Sequence, residues 1–142
     1  MEDLILTGTV GAEIIRHARE GYPLEVCGLV AGHDGRGLAV HRGQNVAPRP
    51  EVAFELDAET LALQIAFEEQ GLALVAIYHS HPQGPAAPST TDVSQAFYPD
   101  AVQIICSLAR PEAPVLRGFR IVQGRVWEVR LRQGIDIPGT IG

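Results

Sequence analysis

LALVAIYHSHPQGPAAPSTTD, residues 72–92, decides both the fold and the chemistry. Its first half is a short apolar run rich in Leu, Val, Ile and Tyr, which predicts a β-strand. Strand side chains alternate between faces, so His79 and His81 project to one side and two imidazoles converge. The stretch PQGPAAPS holds three prolines and a glycine and predicts a turn-rich loop, after which Ser89 opens the helical TDVSQAF. Such a loop can fold Asp92 back toward the histidines. Two His and one Asp make the three protein ligands that a catalytic zinc site takes, with the fourth position left for water. Ser89 and Asp92 also have the Ser-x-x-acid spacing of a capping box, in which both side chains satisfy free N–H groups at a helix start. The two readings are compatible.

His17, His33 and His41 stand in a helical stretch, a His-Asp-Gly turn and a short strand, without partners at ligand spacing, and read as surface or packing residues. Hydrolysis at zinc also needs a carboxylate to take a proton from water and pass it to the leaving amine. The motif itself contains no further acid. Glu25, at the head of the apolar run in YPLEVCGLVAG, is the best distant candidate, against the plainer reading of a surface glutamate at a strand edge.

Taken in order, Glu25, His79-Ser80-His81, Ser89 and Asp92, with Pro82 and Pro88 beside them, resemble the signature of the JAMM (MPN+) metalloproteases. PLEVCGLVAG resembles the segment that carries that family's catalytic glutamate, and QNVAPRPEVAFELD resembles a stretch of its small prokaryotic members. The likeness extends over about residues 5–132. It implies that His79, His81 and Asp92 ligate Zn²⁺, that Glu25 is general base and then general acid, and that Ser89 donates a hydrogen bond to the oxyanion. It implies hydrolysis of the amide after a C-terminal Gly-Gly of a ubiquitin-like or sulfur-carrier protein, as either an isopeptide or a peptide-like adduct. With 142 residues the chain has no room for the long insertions of the eukaryotic deubiquitinases, which favours the compact prokaryotic branch.

Composition agrees with one domain over residues 1–134, followed by a mobile tail at 135–142. A chain of this size buries roughly 68–70% of its unfolded surface, enough for one core without staples. Apolar runs fall short of the roughly 20 residues of a membrane helix, and the acidic start MEDLILTG lacks the basic segment of a signal peptide, so the expected location is cytoplasmic with no membrane partner. Cys27 and Cys106 lie in apolar runs and read as buried thiols; spacing alone does not say whether they pair. Cys27 has no nearby histidine to activate it as a nucleophile. The net charge of −6 and the absence of a basic cluster argue against a nucleic-acid partner. All eleven basic residues are arginine, a pattern best explained by coding bias; Arg130 and Arg132 share one face of a strand and suggest a solvated edge.

The element order predicts helices at 10–20, 58–70 and 90–97 and strands at 25–32, 37–43, 52–56, 72–79, 102–109, 115–122 and 125–132. In the second helix Asp57 is the cap, Leu61, Ile65 and Ala66 face inward, and Gly71 is the stop. Val-Gln-Gly-Arg at 122–125 reads as a hairpin turn. This order is an α/β (α+β) fold, a mixed curved sheet flanked by helices, as the JAMM/MPN (cytidine deaminase-like) resemblance also implies. An extended substrate tail can pair beside a strand edge, which Glu51 to Leu56 would offer. Two other readings compete with the peptidase: a non-catalytic MPN scaffold, and a RadC-like DNA-related protein. The oligomeric state stays open, a homodimer included.

Overall fold

Short apolar runs, near-continuous in the central strands, build a sheet here, and one amphipathic helix covers one of its faces. The computed structural model describes residues 2–134. In chain order these form β1 (Asp3–Leu6), α1 (Val10–Gly21), β2 (Cys27–His33), β3 (Arg36–Arg42), α2 (Ala58–Leu61), α3 (Leu63–Glu69), β4 (Ala73–His81), α4 (Thr90–Ser94), β5 (Val102–Ser107), β6 (Val115–Val122) and β7 (Arg125–Gln133). The strands lie in the order β1-β3-β2-β4-β5-β6-β7, and the first pairs with the last, so the sheet closes on itself. β1 runs parallel to β3 and β7, and β4 runs parallel to β5. The other neighbours are antiparallel.

The two faces of the sheet carry separate clusters. On one, Val10, Ile14 and Ala18 of α1 pack with Val30, Tyr78, Ile104 and Val129. Complete burial of a Val or Ile side chain contributes roughly 1.5–3 kcal/mol, so α1 is held by its stripe rather than by a side-chain cap, which Thr9 does not supply. Gly28 is required at this face, because a Cβ there would collide with the Tyr78 phenol. That phenol sits 2.6 Å from Nδ1 of His17, which therefore packs, as read from sequence. Burial, aided by the Arg42 charge, lowers the His17 pKa to about 4. The other face holds Leu29, Phe67 and Ile77 in one cluster and Ile105, Phe119 and Ile121 in a second.

The turns follow their residues. Asp34 and Gly35 both have positive φ, as do Gln123 and Gly124, the backbone that a tight two-residue hairpin needs. Asp57 caps α2 by accepting from Thr60 N–H at 3.1 Å, and Gly71, at φ 76°, follows α3.

Three expectations need correction, and one strand was not foreseen. The helix over 58–70 is two helices that meet at Ala62, and the face turned inward is not the expected one: Ile65 is 64% exposed while Thr60 and Phe67, seven residues apart, are buried. Residues 52–56 are not a strand but a loop with one bridge, Asn45 to Leu56. There the Asn45 side chain takes the place of a ladder, donating to Glu25 O and Ala53 O and accepting from Ala47 N and Glu55 N. β7 is no solvated edge, since β1 lies beside it and Asp3 pairs with Arg130 and Arg132. β1 itself has no counterpart in the sequence reading. The expected tail at 135–142 lies outside the described residues.

The corrected helix phase has a direct test. Phe67→Ala should cost about 3–5 kcal/mol in urea denaturation, whereas Ile65→Ala should stay within about 0.5 kcal/mol of the parent. Equal losses would contradict the burial of Phe67 over Ile65.

Candidate metal centre

β4 delivers both histidines from one face of its C-terminal end, with the Nε2 atoms 3.0 Å apart. Their strand is fixed from the opposite face. Ser80, fully buried, accepts the Val26 N–H at 2.8 Å with its hydroxyl, and its own N–H donates to Val26 O at 3.0 Å. Glu25 is thereby set next to the histidines; its N–H donates to Pro50 O and its C=O accepts from Asn45.

The loop after β4 turns back as its prolines require. Oδ2 of Asp92 lies 3.2 Å from Nε2 of His79 and 3.1 Å from Nε2 of His81. The capping box is present as well: Ser89 N–H donates to Asp92 Oδ2, and Asp92 N–H donates to the Ser89 hydroxyl oxygen. One aspartate thus closes a helix start and faces two imidazoles. Ser89 is exposed and keeps its hydroxyl hydrogen for another acceptor. A carboxylate oxygen of Glu25 and a ring nitrogen from each histidine also lie within 4.8 Å of one another. Glu25 is 7% exposed and its Oε1 has no partner.

These atoms fit a divalent ion. Nδ1 of His81 lies 2.8 Å from Pro85 O, so it is the protonated nitrogen and Nε2 presents a lone pair. When both rings carry their proton on Nδ1, three lone-pair-bearing atoms face one another at 3.0–3.2 Å, and a shared cation takes the place of the protons that otherwise bridge them. Zinc bonds of 2.0–2.2 Å give tetrahedral edges of about 3.3–3.6 Å, a few tenths of an ångström from the spacing seen. Nδ1 of His79 has no partner, and the ring is instead stacked on Phe54, centroids 4.3 Å apart.

The two carboxylates differ electrostatically. Burial pushes Asp92 up, but hydrogen bonds from His79 and His81 outweigh it and hold the carboxyl far below the usual range. Burial also raises Glu25, to about 7, with the Asp92 charge adding to the rise and His81 opposing it. Burial lowers His79, whereas the pull of Asp92 overcomes burial and raises His81.

A groove of about 350 Å³ opens beside these residues, with His79, Asp92, Phe54, Ile77 and Gln103 in its wall. Along its loop side the N–H and C=O of Ala53 and Glu55 are all engaged within the chain. Sequence reasoning had singled out Glu25, His79, His81, Ser89 and Asp92, and the structure brings all five into this corner. It missed Ser80, Asn45 and Phe54. A serine inside an apolar strand was a usable signal for the first; the other two act through contacts distant in sequence.

Residues 9–122 match the family described as prokaryotic homologs of the JAB domain. The chain belongs to this family. It is 44% identical to a desampylase of Haloferax volcanii over 111 residues, 73% of this chain and 80% of that one. It is 36% identical to a CysO-cysteine peptidase of Mycobacterium tuberculosis over 127 residues, 88% of this chain and 87% of the relative. Among solved structures, protein DSY2949 of Desulfitobacterium hafniense superposes with a TM-score of 0.84 at 32% identity, covering 95% of each chain.

In metal-free protein the raised pKa of Glu25 has a fixed sign. Between pH 4.5 and about 7 the folded chain binds the extra proton, so stability present below pH 4.5 is lost as pH rises through about 7. Carboxyl NMR should show one glutamate titrating near neutrality, and Glu25→Gln should flatten the decline of stability over that window. A Glu25 titration midpoint near 4.5 would contradict the environment described.

Proposed function

We propose that the chain is a zinc-dependent peptidase that hydrolyses the amide after the C-terminal Gly-Gly of a ubiquitin-like or sulfur-carrier protein. The observation that carries this reading is the meeting of His79 Nε2, His81 Nε2 and Asp92 Oδ2 within 3.2 Å, beside a buried glutamate whose Oε1 is free. The substrate class is supported by two relatives, one named a desampylase and the other a CysO-cysteine peptidase.

His79, His81 and Asp92 would hold the ion. When bound, zinc supplies Lewis acidity, making water a nucleophile near neutral pH and polarising the scissile carbonyl. Glu25 takes a proton from the attacking water and returns it to the leaving nitrogen; a carboxyl poised near neutrality by burial suits both transfers. Ser89 donates its free hydroxyl hydrogen to the developing oxyanion. Asp92, held ionised, keeps its charge through the cycle. The Phe54 N–H and C=O, between the engaged groups of Ala53 and Glu55, pair with the extended tail in the groove. The reaction belongs in the cytoplasm, where both cysteines stay as the buried thiols they are here.

Purified without added metal, the protein should carry about one zinc per chain, and Asp92→Ala should lose both metal and cleavage of a Gly-Gly adduct. Glu25→Ala should keep the metal and lose cleavage. Ser89→Ala should keep the metal and turn over about 10²–10³-fold more slowly. Zinc without cleavage would reject the substrate class; an absence of zinc in the parent protein would leave only a scaffold.

A further inference from the structure

We infer that the side-chain amide of Gln103 reads the backbone of the substrate tail two residues from the scissile bond, making Gln103 a specificity residue. The inference rests on the peptidase reading above and extends it to the residue that precedes Gly-Gly.

Gln103 lies on β5, beside Ile77 of β4 and Phe119 of β6. Parallel neighbours in register point to the same face, so Gln103 shares the face of Ile77 and His79. It is 7% exposed and lines the groove together with Ile77, Ile105 and Ile121. A primary amide has two donor hydrogens and an acceptor oxygen, yet among the described residues none hydrogen-bonds to this one. An apolar side chain would pack there with no polar group to satisfy, whereas this amide, set among isoleucines, faces the groove with its donors and acceptor open to a group from outside the chain.

The spacing says which partner. With a rise of about 3.3 Å per residue, the row of Ile77 and Gln103 lies about 6.6 Å along the sheet from the row of His79 and Ile105. An extended peptide advances at the same rate. A tail whose reacting carbonyl stands at His79 therefore brings its backbone to Gln103 two residues earlier, at the residue before Gly-Gly. There the Gln103 amide can serve either an N–H or a C=O, and the isoleucines receive an apolar side chain. The substrate class narrows to tails that end in an apolar residue followed by Gly-Gly.

The test uses two probes on the zinc-loaded protein: a six-residue peptide with valine before its C-terminal Gly-Gly, and the Gly-Gly dipeptide. Calorimetry compares the parent with Gln103→Leu and Gln103→Met, the second of which keeps the length of the side chain. Both variants should bind the hexapeptide about 3- to 10-fold more weakly, the worth of one neutral hydrogen bond. They should bind the dipeptide as the parent does and melt no lower than the parent. On a hexapeptide adduct the loss should appear in KM with kcat retained. Equal losses on both probes, no loss on either, or a parent that does not prefer the hexapeptide would each overturn the assignment. If the binding split is present and no adduct is cleaved, Gln103 keeps its role and the peptidase reading falls.

Discussion

The serine between the two histidines fixes everything else in the site. Because strand side chains alternate, the feature that brings His79 and His81 to one face also sends Ser80 to the other. There its hydroxyl and N–H grip both backbone groups of Val26. A slip of one residue between β2 and β4 would turn the imidazoles into the core and carry Glu25 away from them. The pairing of Cys27 with His79 and of Gly28 with Tyr78 shows the register that results. Gly28 then guards it, because the Tyr78 phenol leaves no room for a side chain at that position. Strand register and catalytic geometry are thus one constraint.

Once the register is set, electrostatics divides the labour between two carboxylates. Asp92 faces two imidazoles and is held ionised; Glu25 is buried with a free oxygen and is pushed toward neutrality. Environments that drive two acids apart are how one site obtains both a fixed charge and a proton carrier. The same logic explains why Asp92 can also close the capping box of α4. A helix start and a cation both favour its charged form, so the helix cap and the metal site reinforce rather than compete.

What the sequence disclosed was local. The period-two spacing of His79 and His81, the proline-rich turn, the Asp57 cap and the Gln123-Gly124 hairpin each depend on neighbours within a few residues. The closing strand Asp3–Leu6 was invisible because its partners, β3 and β7, lie far along the chain and its pairing is parallel on both sides. The 52–56 segment has the composition of a strand, but Asn45 takes its backbone partners from a position that no alternation pattern reveals. Phe54 reads as one more apolar residue until its ring is found stacked on His79. The site's ligand-type residues were legible because chemistry restricts which residues can do that work; their supports were not, because many residues can fill the same space.

The closed sheet also changes how a substrate tail is recognised. The strands that carry the site, β2, β4 and β5, are each paired on both sides, so none of them offers an edge for an added strand. On the loop side of the groove the 53–55 segment offers backbone, where Ala53 and Glu55 are already engaged and Phe54 is not. One residue of ladder provides a single pair of hydrogen bonds, too little to distinguish one extended peptide from another. Discrimination must then come from side chains along the groove, and among the strand residues that line it Gln103 stands with Ile77, Ile105 and Ile121 as the one polar side chain besides His79. A site built on strands paired on both sides moves specificity from the backbone to such side chains, which sequence changes can tune without disturbing the register on which the metal centre depends.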